Sequence, residues 1–120
     1  MEWKKVPKKN EETLERLMSA VPEAEKRKMF GCPMYFLNGN MMAGAHHDSI
    51  FLRLSEPDQD EILKREDVSH FTPRPGRMMR EYITIPPSLY ESEGEFGRWL
   101  ERSREYVGAM PPKVKKSKTT

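Results

Sequence analysis

The sequence has one cysteine, few branched aliphatic residues and almost no net charge, and no apolar run approaching the roughly 18 residues that cross a bilayer. A single thiol excludes an intrachain disulfide framework and fits a reducing cytoplasm. Without a long apolar run, no membrane association is expected. The lysine-rich stretch from Met1 to Lys9 also lacks the apolar segment of a secretory signal. Leu, Ile, Val and Phe supply only about 18% of the 120 residues, a level at which a chain struggles to assemble a core. What is present offsets this: nine methionines, two tryptophans and four tyrosines can fill an interior, and a formal net charge of +2 causes little self-repulsion. The expectation at 120 residues is one globular domain with a methionine-rich interior and no second catalytic domain.

The near-neutral total conceals a division. Residues 1–9 carry four lysines against one acid, and residues 111–120 carry four lysines and no acid. The body between them, residues 10–110, holds 13 basic and 18 acidic residues, a net of −5. Proteins that bind DNA concentrate Lys and Arg on the folded surface to displace counterions, and this body does not do so in aggregate. Three parts follow: a basic N-terminal segment (1–9), a folded domain (10–110) and a basic disordered tail (111–120).

Asn10 followed by Glu11 and Glu12 predicts a helix start, and Leu14, Leu17, Met18 and Val21 give that helix one apolar face before Pro22. Glu25 to Phe30 reads as a charged edge strand. Met34 to Leu37 runs into Asn38-Gly39, a strong hairpin signal because both residues tolerate positive φ. A two-residue turn there sets Phe36 against Met41, Met34 against Ala43 and Cys32 against Ala45. A second turn centred on Asp48-Ser49 sets Ala45 against Leu52 and Ala43 against Leu54. On this register Cys32, Met34, Phe36, Met41, Ala43, Ala45, Leu52 and Leu54 form the core face, and Tyr35, Met42, Gly44, His46, Phe51 and Arg53 share the other.

Ser55 opens a short helix that packs through Ile62 and Leu63. Phe71 to Gly76 reads as a rigid loop. Arg80 to Ile85 reads as a strand with Ile83 and Ile85 inward and Arg80, Tyr82 and Thr84 outward. A last helix from Ser92 to Met110 lines up Phe96, Trp99, Leu100, Ser103, Val107 and Met110. Hairpins followed by segregated helices predict an α+β fold with a largely antiparallel sheet and helices packed on it.

Three chemistries compete for these residues. Cys32 with His46, His47 and neighbouring methionines offers soft ligands, but no Cys-x-x-Cys or His pair at helical spacing accompanies them, and the register buries the thiol as a small hydrophobe. Ser69, His70 and Asp48 are the residue types of a nucleophilic triad, without a nucleophile elbow or a glycine-rich phosphate loop. The most informative set is the outward face: Tyr35, Met42, Phe51 and Tyr82 beside Arg53, Arg80 and Arg77. Aromatics next to arginine suit a protein interface, and the same mixture stacks single-stranded bases on open sheets. The competing structural reading has a helix over this face and the arginines paired with Glu66 or Glu81.

Several stretches, taken in order, resemble one known family. They are Met29-Phe30-Gly31, Tyr35 to Met41, Leu52-Arg53-Leu54, Phe71-Thr72-Pro73, Pro75-Gly76-Arg77, and Glu81-Tyr82 before Pro86. Over about residues 10 to 110 the chain is similar to the TfoX/Sxy N-terminal domain family. The resemblance implies an α+β, secretion-chaperone-like domain in a bacterial cytoplasmic protein, related to regulators of competence and transcription, with no catalytic residue or cofactor to carry over. It also implies that the C-terminal helical domain of the two-domain regulators is missing. The expected function is therefore a non-enzymatic regulatory module that acts by protein contact, as a homodimer or on a transcription component. Nucleic-acid binding through the arginine-aromatic face is the alternative, and thiol or metal binding at Cys32 with nearby Met and His is the second.

Overall fold

The computed structural model describes residues 6–29, 31–46, 49–74 and 76–111; the tail beyond Pro111 and residues 1–5 lie outside them. The elements run α1 (Lys8–Met18), β1 (Glu25–Met29), β2 (Cys32–Leu37), β3 (Asn40–His46), β4 (Ser49–Arg53), α2 (Glu56–Ile62), β5 (Ser69–Arg74), β6 (Arg77–Ile85), α3 (Pro87–Tyr90) and α4 (Glu93–Gly108). The strands form one sheet in the order β1-β2-β3-β4-β6-β5, every neighbouring pair antiparallel. The α+β class is as predicted.

The helices gather on one sheet face. α1 buries Leu14, Leu17 and Met18, with Val21 just beyond it, and α4 buries Phe96, Trp99, Leu100, Ser103 and Val107, in the predicted stripes. Both pack against β3 and β4. α1 begins at Lys8, two residues before the predicted start, because the Pro7 carbonyl already accepts from the amides of Asn10 and Glu11. Lys8 and Lys9 are therefore helical. Ser55 caps α2 as predicted, its hydroxyl accepting from the Asp58 amide at 3.4 Å.

The hairpin of β2 and β3 turns at Asn38-Gly39, where φ is 54° and 81°. These paired positive values suit the right-handed twist of the flanking strands. Phe36 pairs with Met41 as predicted, but Tyr35 pairs with Ala43, which makes Met42 the extra residue of a β-bulge. One inserted residue exchanges the faces of everything along β2 relative to the far part of β3. Tyr35, Leu37 and Met42 consequently join the helix-facing core beside Ala43, Ala45, Leu52 and Leu54. Met34 and Met41, predicted for that core, pack instead around Phe51 on the opposite face. By alternation Cys32 and Phe36 share their side.

Two further differences concern β4 and β5. Ala43 pairs with Leu52 and Ala45 with Ile50, two residues out from the predicted register, and a two-residue slip preserves which side chains face inward. Pairing closes at His46 and Ser49, so the turn falls one residue earlier in the chain than predicted. The stretch predicted as a loop after Phe71 belongs largely to strand β5. It lies at the sheet edge, where Pro73 is tolerated because no neighbouring strand needs its amide.

Candidate interaction face

The sheet face opposite the helices carries its own cluster, centred on Phe51 (1% exposed), with Phe71 and Tyr82 and with Met34, Met41 and Met79 packed around them. All of these residues come from strands. Phe51 stacks on Phe71 with ring centroids 4.3 Å apart and meets Tyr82 edge-on at 5.6 Å. β5 lies two places from β4 in the sheet, so this stacking requires the β5–β6 hairpin to curl over the face. The pairing shows how. His70 pairs with Ile83 and Phe71 with Met79, leaving Arg80, Glu81 and Tyr82 as an irregularity that bends β6. The Phe71 ring also meets His46 edge-on at 5.4 Å.

Gly44 makes room for this cluster. It pairs with Phe51 across β3 and β4, and a Cβ built on it would lie 2.6 Å from the Phe51 ring and also strike the Met34 sulfur. The ring therefore lies over bare backbone, and Gly44 is a packing requirement rather than a turn residue.

Beyond the buried rings, the outer part of the face is a half-buried apolar strip of Met34, Phe36 and Met41, extended by Met29 at 40% exposure. Charged groups flank it. The Arg27 guanidinium lies 5.1 Å over the Phe36 ring and donates to the Glu25 carboxylate at 2.9 Å. Arg53 lies 5.3 Å over Tyr82, donates to Glu81 Oε1 at 2.7 Å and to the Met41 carbonyl at 3.2 Å, and so braces β4 against β3 and β6. Glu81 Oε2 accepts from the Tyr106 hydroxyl at 3.0 Å, tying α4 into the same network. Burial pushes the Tyr82 hydroxyl above its ordinary range.

The seven predicted face residues thus divide. Phe51, Arg53 and Tyr82 do come together. Tyr35 and Met42 do not, because the bulge turns them to the helices, and burial raises the Tyr35 hydroxyl pKa there. Arg80 is exposed and lines a separate cleft, and the Arg77 side chain lies outside the described residues. Sequence reasoning missed Met29, Met34, Phe36 and Met41 as surface residues. Strict alternation would put Met42 and Gly44 on one face, whereas the bulge turns Met42 to the helices and leaves Gly44 under Phe51, and no local feature of the sequence signals it.

Other candidate chemistries find less support. Among the described residues no group of three His, Cys, Asp or Glu side chains could hold a metal, while His47 falls outside them. Asp48 also lies outside, so the Ser69, His70 and Asp48 set has no described geometry. Cys32 is 1% exposed and burial pushes its thiol pKa up. Its reaction with iodoacetamide at pH 8 is expected to run at least about tenfold slower than free cysteine, and alkylation at the free rate in folded protein would contradict the burial.

Of the eight arginines with described side chains, five are held by carboxylates, Arg27 and Arg53 among them. Arg65 engages Asp67 and Glu95, Arg102 engages Asp58 and Glu61, and Arg104 engages Glu23 and Glu101. Arg65, and then the Ser88 hydroxyl at 2.6 Å, hold the Asp67 carboxyl down at about 2. A carboxyl lowered in the fold contributes stability above its unfolded pKa and loses it as pH falls through the folded value, here between roughly pH 4 and pH 2. Ser88→Ala is expected to raise the Asp67 pKa in a carboxyl NMR titration, and an unchanged midpoint would remove the hydroxyl as a cause.

A protein-family comparison matches residues 16–106 to the family described as TfoX N-terminal domain. A comparison with curated proteins finds no match.

Proposed function

This chain belongs to the TfoX N-terminal domain family, and on that footing we propose that it is a non-enzymatic regulatory module, acting in transcriptional control by protein contact, with a second copy of itself as the partner at the strand-only sheet face. The observation that carries this reading is the half-buried strip of Met29, Met34, Phe36 and Met41, bordered by charges of both signs. Methionine surfaces adapt to a partner, and an aromatic capped by arginine suits an interface centre. Glu25 and Arg27, paired with each other at 2.9 Å, leave this border without net charge, so a second copy meets no like-charge repulsion there.

Nucleic-acid binding at the same face is less well supported. Arg27 and Arg53 are neutralised within the protein, and counterion release needs cations free to meet phosphates. Sedimentation velocity on the protein, run beside fluorescence anisotropy with duplex and single-stranded oligonucleotides at two salt concentrations, separates the readings. A concentration-dependent dimer without saturable oligonucleotide binding is expected. A monomer throughout, or saturable binding that weakens steeply with salt, overturns the proposal.

A further inference from the structure

A cleft of about 460 Å³ opens between α2, the β5–β6 pair and α4, away from the strand-only face. Its hydrogen-bonding character is one-sided. Glu56 and Asp60 line it without a partner among the described residues, and the His70 Nδ1 atom is buried with no hydrogen bond. Gln59, almost fully buried, uses its amide N–H on the Leu54 carbonyl at 2.8 Å, which leaves its oxygen unengaged. Tyr106 donates its O–H to Glu81, so only its oxygen lone pairs remain for anything else. Glu81 already accepts one hydrogen bond on each oxygen, from Arg53 and from Tyr106.

The lining therefore offers unengaged acceptors from α2, β5 and α4. An imidazole nitrogen accepts when the proton sits on the other ring nitrogen, so it joins this set in that tautomer. Arg80 is an unengaged charged donor in the lining, exposed and without a carboxylate partner among the described residues. A buried acceptor without a donor is costly, and a ligand that brings several N–H groups removes the cost. The volume falls within the range of small-molecule pockets.

We propose that this cleft binds a cationic amino acid, its guanidinium or ammonium head among Glu56, Asp60 and His70 and its carboxylate on Arg80. An opposite arrangement, with an anion in the cleft, would set that charge beside Glu56, Asp60 and Glu81. A plain diamine would leave Arg80 unmatched. The same head group is available from a free amino acid or from a side chain in a polypeptide.

Amide NMR titration of the whole protein with L-arginine, agmatine and an acetylated Gly-Arg-Gly amide tests the proposal. L-Arginine is expected to give saturable shifts at Gln59, His70 and Arg80 with a Kd below about 1 mM. Agmatine, lacking the carboxylate, should bind about tenfold more weakly, and Arg80→Ala should erase that difference. Tighter binding of the capped peptide, which also lacks the carboxylate, would overturn the free amino acid as the ligand and assign the head group to a polypeptide side chain. The Glu56→Gln, Asp60→Asn double variant, both positions lying on the surface of α2, should keep its circular dichroism spectrum and lose at least about tenfold in affinity. No saturable shift from any of the three up to about 10 mM, or saturation unchanged in the double variant, overturns the proposal.

Discussion

Phe51→Ala is expected to lower the unfolding free energy by about 3–5 kcal/mol, a fall of roughly 12–20 °C in Tm for a domain of this size. The ring is 1% exposed and sits at the centre of the strand-only cluster, stacked on Phe71 and edge-on to Tyr82. Truncation removes its buried area and leaves a cavity that the stiff sheet on one side cannot fill. The loss has a direction as well as a size. β6 is held by its pairing to β4, whereas β5 reaches the face through the ring contacts of Phe71, so amide exchange should accelerate most in β5. Chemical denaturation with hydrogen exchange by residue checks both parts. A loss under about 1.5 kcal/mol, or an increase in exchange spread evenly over the sheet, would show that the hairpin is held by something other than this ring.

Gly44→Ala is the second large effect and is coupled to the first. Its new Cβ would lie 2.6 Å from Phe51 Cζ and 3.1 Å from Cε2, with the Met34 sulfur also in the way. Relief requires the ring to leave its stack on Phe71 or β3 to bow outward, and overpacking of this kind costs about 1–3 kcal/mol. In a Phe51→Ala background the ring is gone and the flexible Met34 side chain can shift into the space it leaves, so the same substitution should cost less than about 0.5 kcal/mol, giving a coupling of at least about 1 kcal/mol between the two sites. Equal costs in both backgrounds would locate the strain at Met34 or in the backbone of β3 rather than in the ring.

The helices were legible in the sequence because their signals are local. Leu14, Leu17 and Met18 on α1, and Phe96, Trp99, Leu100, Ser103 and Val107 on α4, all face the core as their spacing predicts. The Asn38-Gly39 turn was legible for the same reason, since positive φ is a property of the residues themselves. The face assignment was not, because a bulge at Met42 is decided by packing. Inserting Met42 beside Ala43 buries two side chains against the helices and places Gly44 under Phe51, a gain that no window of the sequence displays. Tyr35 and Met42 consequently left the predicted site, and Met34, Phe36 and Met41 entered it. β5 escaped notice because its Pro73 is a breaker in a central strand and harmless at an edge. The arginines illustrate a third case: Glu81 was legible as a carboxylate for the face arginines and does pair with Arg53, but the Glu95 partner of Arg65 and the Glu61 partner of Arg102 depend on the final packing.

Phe36 is half-buried, lies beneath Arg27 and belongs to the exposed strip rather than to the rings beneath it, so a charge there disturbs association more than folding. Sedimentation equilibrium of Phe36→Asp beside the parent protein therefore tests the central claim most directly. The expected result is a dimer for the parent and at least about a hundredfold weaker self-association for the variant, with the thermal transition of both still cooperative. A variant that dimerises as tightly as the parent would contradict the assignment of this sheet face as the contact surface.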